Sequence, residues 1–181
     1  MRAMEELLNE YSYEQISVAM ITQRVPIARQ GFYKFYKNKE DLSRQMFLYY
    51  TDRAAIMEHD FTLEEFILHD LTEIDRHFVL FHKLALQSYR NDLFEILHEN
   101  IFQIYTRMIR YHLKTNLSDD LVFLLDSYCN GGLLGLISLL RAGNSLDPPH
   151  LTRLYIDLMP QPVKELLAEG VYPADIIKRE L

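Results

Sequence analysis

Thr22–Leu42 reads TQRVPIARQGFYKFYKNKEDL, and the fold turns on this stretch. Two short helical segments meet at Val25-Pro26. Proline cannot continue a helix and holds the preceding residue extended, so the chain changes direction there. The segment after the break opens with Arg29 and continues as GFYKFYKNK. From Arg24 to Lys39 there are five Lys or Arg and no Asp or Glu, in a chain of formal net charge −7. A merely solvated surface mixes the two signs. Cations interleaved with aromatics beside a helix break suit a helix-turn-helix that reads DNA.

The flanking sequence supplies more helices. Met4, Leu7, Leu8 and Tyr11 share one face of a first helix over 3–11. Residues 12–15 form a turn, and Ser17 caps a second helix over 18–24. The third covers 28–36. Asn38, with Asp41 three residues on, caps a fourth that reaches Glu58. Thr62 and Glu65 make a capping box, and Phe66, Ile67, Asp70, Leu71 and Ile74 give the next helix its inner face. Further helices are predicted over 77–88 and 92–114, the latter with Leu93, Ile96, Leu97, Ile101, Ile104 and Met108 at helical spacing. Ser118 and Leu121 open another, which ends at Ala142 before Gly143-Asn144. Asp147 and Pro148 start one that runs to Leu158. Pro160 and Pro162 interrupt it, and residues 170–181 read as a loosely held tail. Six Gly and six Pro are few, and most lie near these breaks, which favours an all-α protein over a turn-rich β fold.

Composition narrows the function. Apolar residues make up 49% of 181, enough for a sizeable core in one domain or a small domain fused to a larger one. The lone cysteine, Cys129, excludes an intramolecular disulfide and a cysteine-based zinc knot. No flanking cation stabilises its thiolate, so it reads as buried and inert. No apolar run approaches the ~18 residues of a membrane span, and no signal peptide is visible, so the chain reads as cytoplasmic and free of membrane. Residues 1–53 hold eight Lys or Arg against seven Asp or Glu; residues 54–181 hold eleven against nineteen. Phosphate would be repelled by the acidic second part, so any DNA contact goes through the first.

The run from Ile27 to Leu42, IARQGFYKFYKNKEDL, resembles the end of the DNA-binding domain of TetR-type transcriptional regulators. There an aromatic pair, a base, a second aromatic pair and a Lys-x-Lys-Glu-x-Leu stretch close the recognition helix and open a long linking helix. The later helices look most like the regulator subgroup that includes activators of dihydroxyacetone kinase operons. The resemblance implies an N-terminal three-helix DNA-binding domain over 1–45, its first helix truncated. A larger helical effector-binding and dimerisation domain follows over 46–181. It places Arg29, Gln30, Gly31, Tyr33, Lys34 and Phe35 in the reading helix. Arg29 suits guanine and Gln30 adenine, while Tyr33, Lys34, Lys39 and Ser17 suit phosphates. Phe32 and Tyr36 lie four apart on the opposite face and read as core. Three departures stand out. Pro26 replaces the usual turn glycine, Ala28 replaces a capping Ser or Thr, and Gln30-Gly31 replaces a pair of small residues. Members also carry a basic extension before the first helix. Here Met1 opens inside that helix, so either the native start lies upstream or DNA affinity is lower.

Two more sites are expected. The resemblance implies that the last two long helices pair with their symmetry mates. That role falls to 121–141 and 150–159, with Leu121, Leu125, Tyr128, Gly132, Gly135, Leu139, Leu151 and Tyr155 at the interface. The alternative is contact with a helix of the same subunit. Glycine costs about 1 kcal/mol in a helix, so Gly131, Gly132 and Gly135 argue for close packing of one kind or the other. The middle helices carry Phe81, Phe102 and Tyr105, with His69 and His98 as polar tips. These are candidates to line an effector cavity of about 300–1,000 Å³; ordinary core aromatics and surface histidines are the competing reading. Glu95-x-x-His98 is half of a di-iron pattern whose other half is missing, so no metal is expected. No phosphate loop or nucleophile elbow supports an enzyme, and no cofactor is implied. The sequence therefore predicts a ligand-responsive repressor, a homodimer on a two-fold operator. The alternative is a weakly binding or non-binding relative that co-activates through protein contacts.

Overall fold

A computed structural model describes residues 1–50, 59–86, 93–168 and 170–177. The protein is all-α. In chain order the helices are α1 (Arg2–Glu10), α2 (Val18–Gln23), α3 (Arg29–Phe32), α4 (Lys39–Tyr50), α5 (Leu63–Arg76), α6 (Phe78–Leu86), α7 (Leu93–Leu113), α8 (Asp119–Ala142), α9 (Pro148–Leu158) and α10 (Gln161–Leu167). Two-residue strands β1 (Phe61–Thr62) and β2 (Val171–Tyr172) pair antiparallel. The expected reach of the fourth helix to Glu58, the end of the sixth at Ser88 and the start of the seventh at Asp92 lie outside the described residues.

Five of the ten helix starts among the described residues are set by caps that the sequence displays. Ser17 accepts from the Met20 amide, Ser118 from Leu121 and Asp147 from His150, each satisfying a free first-turn donor. Thr62 and Glu65 form a complete capping box. Hydrogen bonding from the Thr62 backbone and hydroxyl holds the Glu65 carboxyl below its usual range. Asn38 accepts from the Asp41 amide at 2.7 Å, and Asp41 accepts from the Lys37 amide at 2.9 Å. Gly143 ends α8 with φ 77°, a left-handed conformation that suits glycine.

Two apolar clusters organise the molecule. The smaller joins Met4, Leu7 and Leu8 of α1 to Ile21, Phe32, Leu42 and Met46, and it borrows Leu80 and Leu84 from α6. The larger fills the space between α5, α7, α8 and α10. Helix α4 serves both, turning Met46 to the first and Phe47 to the second. At the seam, His77 Nδ1 lies 3.2 Å from Glu5 Oε1, and its ring stacks on Tyr50 with 3.8 Å between centroids.

The expectation of a loose C-terminal tail is corrected. Tyr172 is fully buried, its hydroxyl donates to the Leu167 carbonyl at 3.0 Å, and its ring packs on Phe61 and edge-on to His112. A side chain at Gly170 would collide with Tyr172 and His112, so only glycine admits this approach. Residues 178–181 lie outside the described residues.

Among the described residues, α8 alone is long and apolar enough to cross a membrane. The sequence reading, which counted uninterrupted apolar runs, missed it. Leu125, Cys129, Leu133, Leu136 and Leu140 of α8 are buried in the core, while Phe123, Leu134 and Leu139 are exposed on other faces. Two apolar faces on one helix account for its composition without a bilayer.

Candidate nucleic-acid interface and effector cavity

The reading segment is held from below and open above. Helix α3 is shorter than expected: four residues, followed by further turns in which Phe35 and Tyr36 amides bond the Phe32 carbonyl. Ala28 supplies no side-chain cap. Phe32 anchors the segment, fully buried and in ring contact with Tyr33 and Tyr36. Arg29, Gln30, Tyr33, Lys34, Phe35 and Lys37 all face solvent. Phe35 is 73% exposed, a large apolar cost for a surface with no partner. Among the described residues nothing crowds Gly31: an added Cβ would meet Ile27 alone, at 3.9 Å. Ser17 is exposed, and its oxygen is engaged in the α2 cap at 3.3 Å.

Two of the five cations are engaged by partners within the head. Arg24 pairs with Glu10 and, at 4.0 Å, with Glu6, both on α1. Lys39 points away from the surface assigned to phosphate. Its Nζ donates to the carbonyls of Tyr13 at 2.8 Å, Ile16 at 3.0 Å and Glu14 at 3.4 Å, and sits 4.5 Å from the Tyr13 ring centre. All three ammonium protons are spent on closing the turn before α2. The phosphate role expected for Lys39 is therefore corrected to an internal clamp. Arg29, Lys34 and Lys37 make no ion pair among the described residues and leave an acid-free cationic strip.

The expected large cavity is corrected too. Between α5, α7, α8 and α9 lies a void of about 70 Å³. A second, of about 40 Å³, adjoins it between α4, α5, α6, α7 and α8. Of the residues predicted to line a pocket, Tyr105 borders the first and Phe81 the second. Phe102 stacks on His98 instead, with 6.0 Å between ring centres. His98 Nε2 lies 3.1 Å from Asp126 Oδ1, outside both voids. His69 Nδ1 is 4.0 Å from Asp70, and it is Asp70 that borders both voids. The sequence reading placed Asp70 on an apolar helix face without asking why a carboxylate stood there.

The expected pairing residues divide in two. Leu125 is completely buried in its own subunit, so its interface assignment is corrected. Tyr128 is buried and donates to the Tyr155 carbonyl at 2.9 Å, while Tyr155 donates to the Gly132 carbonyl at 2.7 Å. An added Cβ at Gly132 would stand 2.8 Å from the Tyr155 ring. Gly132 thus serves the α8–α9 crossing within one chain. Leu121 is half-buried against the core. Gly135 and Gly131 have open space above them. They line an outer groove of about 700 Å³ with Leu139, Leu151, Leu154 and Leu158. Burial pushes the Cys129 thiol up to about 12, in keeping with an inert, protonated sulfur.

A three-helix head set on a larger helical body makes up an all-α fold. Among solved structures the chain is similar to the dihydroxyacetone kinase operon activator DhaS. The TM-score is 0.63 with 19% identity, over 92% of this chain and 95% of that one. At this identity the likeness is one of fold. No family model matches the sequence, and no curated protein matches it.

Proposed function

We propose that this chain is a cytoplasmic transcription regulator that binds double-stranded DNA as a homodimer on a two-fold site, acting as a ligand-responsive repressor. One observation carries the reading: an exposed, acid-free strip of Arg29, Gln30, Tyr33, Lys34, Phe35 and Lys37 on an otherwise acidic protein. The shared fold supports it. Arg29 and Gln30 are the base-reading pair, and Lys34, Lys37 and Tyr33 grip the backbone. The open groove along α8 and α9, edged by Leu139, Leu154 and Leu158, supports pairing of two chains. Two heads so paired must match half-sites about one or more helical turns apart, roughly 34 Å or a multiple. A ligand in the body changes that spacing, and DNA affinity follows by linkage.

The test is fluorescence anisotropy of the full chain against duplexes from the DNA upstream of its own gene, across a salt series. Affinity falls steeply with salt, with a log–log slope of about −0.9 per phosphate neutralised. An unselective, salt-insensitive interaction, or none at low salt, overturns the reading. A second reading, co-activation through protein contacts with little DNA binding, is favoured by two observations: Arg24 and Lys39 are spent inside the head, and the body's voids are small.

A further inference from the structure

The reading segment has an apolar side to which the DNA contacts above give no task. Ile27, Gly31 and Phe35 follow one another at four-residue spacing, so they fall on one side of the segment. The structure joins the first two directly: a Cβ added at Gly31 would meet the Ile27 Cβ at 3.9 Å. Phe35 stands one turn further on. Its amide donates to the Phe32 carbonyl at 3.0 Å, which ties it to the buried pin. Ile27 is 44% exposed and Phe35 73%. Gly31 carries no side chain, so a gap one side chain wide separates these two apolar walls. The neighbouring side is polar and cationic. Gln30 and Lys34 are exposed beside the stripe, Arg29 opens the helix and Lys37 follows it. No Asp or Glu lies between Arg24 and Lys39. An apolar stripe in such a field complements an anionic partner that itself carries small apolar groups. The major groove of DNA offers one on its base edges, the C5-methyl of thymine.

We propose that Ile27, Gly31 and Phe35 read a thymine through its C5-methyl group, which enters the gap at Gly31 between the Phe35 ring and the Ile27 side chain. This deepens the DNA-binding reading and rests on it. Arg29 and Gln30 recognise bases by hydrogen bonds, and hydrogen bonds do not register a methyl group. The apolar stripe adds that discrimination beside them. Deoxyribose also offers apolar surface, but every nucleotide carries it, so packing on sugar would favour no sequence. Burying one methylene-sized group strengthens binding about four-fold, which sets the size of the effect.

The test uses the full chain and a duplex that it selects from a random library. Each thymine of that duplex is replaced in turn by uracil, which keeps the pairing and the O4 acceptor and lacks only the methyl. Fluorescence anisotropy at fixed salt is expected to show, in each half-site, a thymine whose replacement weakens binding about four-fold. Phe35→Ala, at an exposed position, should bind the thymine and uracil duplexes alike, and Phe35→Leu should keep most of the preference. Gly31→Ala has room among the described residues and suits a helix, so circular dichroism should show an intact fold while the methyl preference falls. Equal affinity for thymine and uracil at every position, measured on the unaltered chain, overturns the proposal whether or not the variants fold. So does a preference that persists in both Phe35→Ala and Gly31→Ala. A loss in Phe35→Ala that is equal on the two duplexes places the ring on deoxyribose and overturns it as well. Salt-dependent binding indifferent to methyl groups sinks the stripe and leaves the DNA reading standing; failure to select any duplex sinks both.

Discussion

The head and the body place their informative residues in opposite directions. In the head, the side chains proposed to read DNA lie close together in sequence and point outward: Arg29, Gln30, Tyr33, Lys34 and Phe35 sit on one buried pin, Phe32. In the body, the residues around the voids come from several helices and point inward, from Asp70 on α5 to Tyr155 on α9. A surface built from one segment keeps its chemistry visible in a sequence window. A site built from converging helices shows only one or two residues per window, and each resembles core. Yet the two regions are not independent, because the head cluster includes Leu80 and Leu84 of α6.

The largest expected effect tests that dependence. Phe32→Ala removes the fully buried ring that holds the reading segment and should cost about 3–5 kcal/mol. Since α6 serves both clusters, denaturant unfolding followed by tyrosine fluorescence and by circular dichroism should lose head and body together. Two separated transitions would show that the head folds alone and break the shared-core argument. Tyr172→Ala, at the other end of the chain, should cost a similar amount, whereas a loose tail would give almost nothing.

Next come two lysines that the sequence treats alike. Lys39→Ala strips three carbonyls of a charged donor and should destabilise by about 1.5–3 kcal/mol. Lys34 is exposed, so Lys34→Ala should leave stability within about 0.5 kcal/mol and reduce the DNA salt slope by about 1. Melting curves and anisotropy on both variants decide the matter. A Lys39 variant that keeps its stability but loses salt dependence would return that lysine to the phosphate surface.

These contrasts show what the sequence can disclose. Local rules read well: Ser17, Asn38, Thr62 with Glu65, Ser118 and Asp147 cap the helices they were expected to cap. Each cap is a bond between near neighbours, so its residues lie within one window. The failures need distant partners. Lys39 meets the Tyr13–Ile16 turn more than twenty residues away, and Tyr172 meets Phe61 across the chain. Leu125 has the spacing of an interface residue, but spacing does not say which apolar face of α8 meets its own core. Asp70 was legible as an anomaly, a carboxylate in an apolar stripe, and it is the polar residue that joins the two voids. The excess of aromatics in α6 and α7 suggested a large cavity, but stacking consumes them: Phe78 on His82, and Phe94 and Phe102 on His98.

The glycines of α8 give a finer comparison within one helix. Gly132→Ala would press a methyl to 2.8 Å from the Tyr155 ring and should destabilise by about 1–3 kcal/mol. Gly135→Ala meets nothing among the described residues and should stabilise an isolated chain by up to about 1 kcal/mol. If a second chain packs closely along the groove, the same Gly135 variant should weaken self-association in sedimentation velocity. Unchanged association would move the pairing surface away from Gly131 and Gly135.

The smallest effect is absent at neutral pH and grows only in alkali, and it again separates inward from outward residues. Burial pushes the Cys129 thiol from 9.0 to about 12 and the Tyr155 phenol from 10.0 to about 12. In both, folding favours the neutral, protonated form. The unfolded chain releases these protons first, so stability is intact below about pH 9 and falls as pH rises toward 12. Unfolding free energies should therefore be flat from pH 7 to 9 apart from surface titrations, and then decline. Cys129→Ala removes its share and should flatten the curve between pH 9 and 12, at the cost of a small cavity that lowers stability equally at every pH. A decline of the same steepness in the Cys129 variant would mean that the thiol titrates alike in the folded and unfolded chains. The sulfur would then be open to solvent, and the packing of α8 along the larger void would have to be redrawn.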